Sequence, residues 1–325
     1  MLIWSGFVLL VLLLLLLDLG VFNRKPHEIG TREAFGWTGL WVSISLLFGF
    51  FVYFGYTHRW LGLGDTIGHP QSGAEAAMAF LAGYIMEESL SMDNIFIMAV
   101  IFNYFRIPLV YQHRVLFWGI LGALVFRGAM IGMGAYLVER FDFILYVFGG
   151  ILIWTAYKMV ASGGDNTVRP DDNATVRLLR KIVPVTRQIK GERFFVRHKG
   201  RIIAATPMFV ALIVIETTDI MFAFDSIPAI FAVTTDPFLV FTSNIFAILG
   251  LRSMYFVLAS VLDKFRYLQY ALALVLGLVG LKMLVLHPLE IQLPAWLSLL
   301  VIVVVLGAGI LLSLLRDRQV GREKA

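Results

Sequence analysis

Two apolar stretches of the chain carry acidic residues at one spacing. In the first, Glu87 is followed after five residues by Asp93-Asn94-Ile95; in the second, Asp219 is followed after five residues by Asp225-Ser226-Ile227. Glu88 and Glu216 lie in the same stretches. The matched acids fall roughly 17–27 Å along their helices, near the middle of a membrane span. A carboxylate at that depth costs roughly 2.5–3.5 kcal/mol, so a cluster of them points to function. Carboxylate, amide and hydroxyl oxygens suit the hard divalent cations Mg2+, Ca2+ and Mn2+. The chain has no cysteine, which excludes thiolate ligation and dithiol redox chemistry by its own residues. His58, His69 and His113 fall in loops.

Spacing sorts these acids. Glu87, Ser91 and Asn94 share one helix face, and Glu216 and Asp219 share another. Asp225 points away from both on a straight helix. Pro228 removes one backbone bond and clashes with the carbonyl of Phe224, so a break over Phe224–Pro228 is expected to turn Asp225 inward. Asn94, Ser226 and Asn244 are auxiliary oxygen donors. Met86, Met92 and Met221 flank the acids. A thioether ligand, Met221 the candidate, would favour Mn2+ over Mg2+ and Ca2+; ordinary helix packing is the alternative. Arg127 and Arg252 are the expected counter-charges. A purely structural network would pair the acids with these arginines, Lys158 and Lys282, but the acids outnumber those cations.

The elements that position these residues are membrane helices. The 325 residues are 59% hydrophobic, with a mean hydropathy of +0.82, and several stretches exceed the roughly 18 apolar residues of a span. Nine spans are predicted: Leu2–Phe22, Phe35–Tyr56, Ala74–Phe102, Val115–Val138, Phe141–Val160, Pro207–Thr234, Pro237–Leu262, Leu268–Leu286 and Ala295–Leu315. Backbone groups in lipid must be satisfied internally, so the class is all-α and polytopic. The first stretch lacks a basic residue ahead of it and a small-residue cleavage site after it, so it is read as a retained helix. Asp18 is placed at its interfacial end. Lys and Arg concentrate after the odd spans, which puts the N-terminus outside and the C-terminus inside. The net charge of +5 sits in those loops and is no nucleic-acid signature.

The halves repeat. Arg127 and Arg252 lie in the spans after the acidic ones, and Phe141 precedes Lys158 by 17 residues as Phe265 precedes Lys282. Spans three to five therefore copy spans six to eight, in opposite orientation, an architecture of transporters with a midplane site. The chain divides into two N-terminal helices (1–73), a first three-helix repeat (74–160), a basic cytoplasmic loop (161–206), a second repeat (207–286) and a last helix with its tail (287–325). A short amphipathic helix is expected near Ala174–Ile182, held at anionic headgroups.

The run Glu87-Glu88-Ser89-Leu90-Ser91-Met92-Asp93-Asn94 resembles the first signature of the TerC membrane proteins. Glu216 to Phe231 resembles the second, which Ser243 to Arg252 continues. Phe194-Phe195-Val196-Arg197 and Ala205-Thr206-Pro207 resemble the Alx branch. The resemblance covers about Trp37 to Leu286. It implies an inner-membrane protein of the LysE-type transporter superfamily exporting manganese, with the historical labels of tellurium resistance and redox modulation. Carried over by position, its acids are Glu87, Asp93, Glu216, Asp219 and Asp225. Glu88 falls where the family varies, which puts it in doubt as a ligand. An anionic tellurium oxide is a poor match for carboxylates.

The leading expectation is a transporter whose partners are the bilayer and a divalent ion, without a prosthetic group. The alternative is a metal- or pH-responsive modulator without flux. An enzyme is not expected: no His-Glu-x-x-His motif is present, and no nucleophile has a partnered base.

Overall fold

The structure is a computed structural model. It describes residues 2–17, 30–141, 143–161, 181, 184–186, 191, 193–198, 201–258, 267–286, 288–289 and 293–323. Among these lie nine α-helices: α1 (Leu2–Leu17), α2 (Thr31–Thr57), α3 (Gly73–Tyr104), α4 (Leu109–Arg140), α5 (Phe143–Ala161), α6 (Pro207–Val233), α7 (Pro237–Leu258), α8 (Leu268–Leu281, extended by a π turn over Lys282–Leu286) and α9 (Ala295–Glu323). Seven are long and apolar enough to cross a membrane. The other two are α1, with 16 described residues, and α3, which is long enough but holds Glu87, Glu88 and Asp93 in its middle. The protein is therefore a polytopic all-α membrane protein.

Local chemistry sets the helix starts. Ser72 Oγ accepts from the Glu75 backbone N–H, while the Ser72 N–H donates to the Glu75 carboxylate, a reciprocal cap for α3. Pro207 opens α6, where its missing N–H costs nothing. Asp236 caps α7 by accepting from the N–H groups of Phe238 and Leu239. α4 begins at Leu109, a turn or more earlier than its apolar run predicted. The loop after α5 contains a feature its basic composition did not announce: an antiparallel hairpin of β1 (Phe195–His198) and β2 (Arg201–Ala205). The amphipathic helix expected at 174–182, Asp18, and the loop residues Arg24, Lys25, Lys264, Phe265 and Arg266 lie outside the described residues.

Packing follows the repeat. α3 runs antiparallel to α6: Gly83 lies against Ile230, Asn94 meets Asp219, and Ile101 and Ile215 share one crevice. α4 runs antiparallel to α7, with Gln112 bonded to Tyr255 and Gly128 against Phe241. α5 runs antiparallel to α8, with Gly149 against Leu284 and Gly277 against Ala156. The cross pairs run parallel. On α3 and α7, Gly83 meets Ser243 and Phe102 meets Tyr255; on α4 and α6, Gly119 meets Ile215 and Gly134 meets Phe231. Each helix is thus antiparallel to its own copy, the arrangement that a twofold axis across the helices produces. The first copy is interleaved with the second, so each half completes the other's core. One place departs from the symmetry: α9 packs on α3 and α8, and α3 lacks the close contact with α8 that the α5–α6 pairing would imply.

Candidate functional site

The centre of the interleaved bundle holds a polar cluster. Glu87 and Arg127 are 0% and 1% exposed, and Asp219 is 6% exposed. Arg127 Nε donates to Asp219 Oδ2 at 2.9 Å, and Nη2 donates to Oδ1 at 2.7 Å, a bidentate pair. Arg127 Nη1 donates to Glu87 Oε1. Asn94 Nδ2 donates to Asp219 Oδ1 at 3.1 Å. One guanidinium from α4 therefore bridges the two carboxylates that the repeat relates, Glu87 on α3 and Asp219 on α6. This contact set holds two acids for one cation.

Several side-chain atoms of these helices are buried without a hydrogen-bond partner: Glu87 Oε2 and Asn94 Oδ1 within the cluster, and Ser91 Oγ, Ser226 Oγ, Glu216 Oε2 and both amide atoms of Asn244 elsewhere on α3, α6 and α7. Asn244 is fully buried on α7. Glu216 lies within electrostatic reach of Asp219, and its carboxyl rests on α4 at Gly122, where any Cβ would collide with it. Glycine at 122 is what admits a carboxylate between α4 and α6. A narrow crevice leaves the cluster past Asn94 and Asp219 toward Ile101 and Ile215. That is the end of the bundle bearing the β1–β2 hairpin, whose Phe195 ring packs on Phe209 at the start of α6.

The other end is tied by Asp236, 0% exposed. Its Oδ2 accepts from Tyr56 Oη at 2.7 Å, the His69 N–H at 2.8 Å and Gln71 Nε2 at 3.1 Å. Together with the two capping bonds, this joins the α2–α3 loop to the start of α7. Gly68 packs onto the same carboxylate with φ +76°.

The cluster is smaller than the one expected from the sequence. Among the described residues, no three His, Asp or Glu side chains are disposed to hold one metal ion. Glu87, Asp219, Asn94 and Arg127 converge, and Glu216 borders them. Asp225 does not join: its Oδ1 accepts from Thr155 on α5 at 2.6 Å. The expected break in α6 does not occur, and the helix runs unbroken through Pro228. Losing one donor is tolerated there because Ile227, Ile230 and Phe231 are locked against α4 and α7. Met221 is 63% exposed on the outer face of the bundle, turned away from the buried Glu87–Asp219 pair. Asp93 is half-buried and makes none of the Arg127 contacts. Arg252 is 7% exposed. Glu88 leaves the cluster for the opposite side of α3, where Tyr84 Oη donates to it at 3.3 Å and Gly250 of α7 approaches it. Sequence reasoning missed Asp236, Thr155 and Gly122. Only Asp236 carried a signal, an aspartate directly before a helix-opening proline.

Fold and cluster together define a multi-pass helical membrane protein with interleaved inverted repeats around a buried carboxylate–arginine centre. Residues 72–320 match the integral membrane protein TerC family, and the chain belongs to that family. An uncharacterized membrane protein of Myxococcus xanthus, STKORF319, is 48% identical over 97% of this chain and 92% of its own. Two further relatives bear the name Alx, with a proposed role as membrane-bound redox modulator. The protein from Photorhabdus laumondii is 43% identical and that from Escherichia coli 42%, each over 95% of both chains. No solved structure matches the chain.

Proposed function

We propose that this protein carries a divalent metal ion, Mn2+ first, out of the cell across the inner membrane, using the Glu87–Asp219 pair at the bundle centre. The observation that supports this most is one guanidinium held between two repeat-related carboxylates, with Glu87 Oε2 and Asn94 Oδ1 of the same cluster buried without partners. Buried acids need a positive partner. Arg127 supplies it here, and an incoming cation would replace it. The structure then corresponds to the closed, arginine-neutralised state, and metal binding requires Arg127 to withdraw while Asn94, Ser226, Asn244 and Glu216 supply oxygens. Carboxylate and amide oxygens without thiolate or imidazole suit Mn2+, Mg2+ and Ca2+. Manganese is preferred among them on the family resemblance, since the thioether argument falls with the exposed Met221.

A second reading has a specific observation in its favour. Three acids do not gather on one point among the described residues, as befits a metal- or pH-responsive modulator without flux. A redox role of the kind that the relatives' name proposes would run through no thiol of this chain, which has none.

Proteoliposomes decide between them. Mn2+ should enter vesicles containing the wild-type protein, and Glu87→Gln or Asp219→Asn should cut the rate at least about tenfold, the equivalent of about 1.4 kcal/mol. Met221→Ala should leave it unchanged. Absence of Mn2+ movement with correctly folded wild type would remove the transport reading.

A further inference from the structure

α1 touches the rest of the molecule along a single stripe: Ile3, Phe7, Val11 and Leu15 are buried at four-residue intervals, and its other faces are exposed. Beside that stripe lies a cavity of about 470 Å3, walled by Leu2, Gly6 and Leu10 of α1, Leu47 and Phe51 of α2, and Phe238 of α7, among others. Its size falls in the range of small-molecule sites. Its walls are apolar, so water has no partners there, and it opens on the side of the molecule that faces lipid. From Leu2 to Leu10 it follows α1 for about 12 Å.

One wall is built and stiff. Phe246 packs on Phe48 with centroids 4.6 Å apart, Phe48 on Phe51 at 5.2 Å, Phe51 on Trp60 at 5.9 Å, and Trp60 on His58 at 5.9 Å. This ladder climbs from the middle of α7 to the polar loop after α2, where Arg59 pairs with Asp65 at 2.8 Å. An apolar groove reached by Leu61 of the loop that also carries His58, Arg59 and Trp60 matches a molecule with a hydrocarbon tail and a polar head. The helices that form it are themselves set in hydrocarbon, which supplies that molecule.

We infer that the groove between α1, α2 and α7 seats one acyl chain of a membrane phospholipid, with its headgroup at the level of His58, Arg59 and Trp60. The chain wedges α1 against Phe238 and Phe246 of α7, the helix that also carries Asn244 and Arg252.

The full-length protein, reconstituted in phosphatidylcholine nanodiscs and released into mild detergent, is the material for the test. Native mass spectrometry counts the phospholipid retained per chain. Wild type should keep one. Gly6→Phe should reduce its occupancy about tenfold, because a side chain at Gly6 enters the groove without meeting any atom within 4 Å at its Cβ. Gly132→Phe, equally open but on α4, should keep the lipid. Equal retention in Gly6→Phe and wild type, or no lipid on wild type, overturns the inference. So does a dimer mass lost only in Gly6→Phe, which would make a second copy the occupant. If Gly6→Phe fails to fold, Leu10→Trp narrows the same groove and reads the same outcome.

Discussion

Arg127 is the residue on which the centre depends. Among the described residues it alone bridges Glu87 and Asp219, and all three are buried. Removing one partner of a buried ion network strands the others in low dielectric. Arg127→Met should therefore destabilise the protein by about 3–5 kcal/mol, seen as a lower melting temperature in detergent. Adding Glu87→Gln and Asp219→Asn to it should recover most of that loss, since neither of the acids that Arg127 bridged then carries a charge. A triple variant no more stable than Arg127→Met would show that the arginine acts by packing instead. Asp236 is the corresponding residue at the tied end. Asp236→Ala removes the cap of α7 and the acceptor for Tyr56, His69 and Gln71. The cap by itself is worth about 1 kcal/mol, and the cross-loop bonds add to it. Hydrogen exchange should quicken at 66–72 and at the start of α7 together.

At the scale of elements, close approach decides what the helices can hold. α4 meets α6 at Gly119 and Gly122, and the room that glycine leaves is filled by the Glu216 carboxyl. Gly122→Val should swing that carboxyl out of the α4–α6 contact with the helices in place and slow the proposed Mn2+ flux, whereas Gly132→Val on the open face of the same helix should not. α5 and α8 approach closely through another pair. A Cβ at Gly280 would lie 2.9 Å from the Gly149 carbonyl oxygen, an example of small residues letting membrane helices pack. The straightness of α6 matters as much. With no break at Pro228, Asp225 stays on the α5 side, bonded to Thr155. It serves a different helix contact from Asp219, although the two acids sit six residues apart.

For the whole molecule, the interleaved repeat implies two distinct ends. The α2–α3 loop and the α6–α7 turn meet at Asp236, and the α3–α4 end meets the hairpin region through Arg114 stacked over Phe194. The loops after α2 and α6 thus lie at one end, and those after α3 and α5 at the other. From the positive-inside pattern we propose that the second group faces the cytoplasm. Because the chain lacks cysteine, single substitutions test this in intact cells. Leu289→Cys should react with an impermeant maleimide from outside, and Gly191→Cys only after the membrane is opened; both positions are exposed. The reverse pattern would invert the molecule and, with it, the direction of the proposed flux.

The sequence by itself determined the helices, the repeat and the position of the acids midway along α3 and α6. Each of these is written locally, in runs of apolar residues or in spacing along one helix. It also named both members of the central pair and the arginine between them. It did not determine which acids meet. Asp225 went to Thr155, Met221 to the outer face and Glu88 to Tyr84, because rotation and neighbour of each helix follow from packing against partners far away in the chain. Gly122 and Thr155 carry no chemical signature until α6 lies beside them. Only the tertiary structure put one guanidinium, and not a ring of five acids, at the centre. Burial makes every uncompensated charge expensive, and the fold brought one cation to two buried acids at the centre of the bundle.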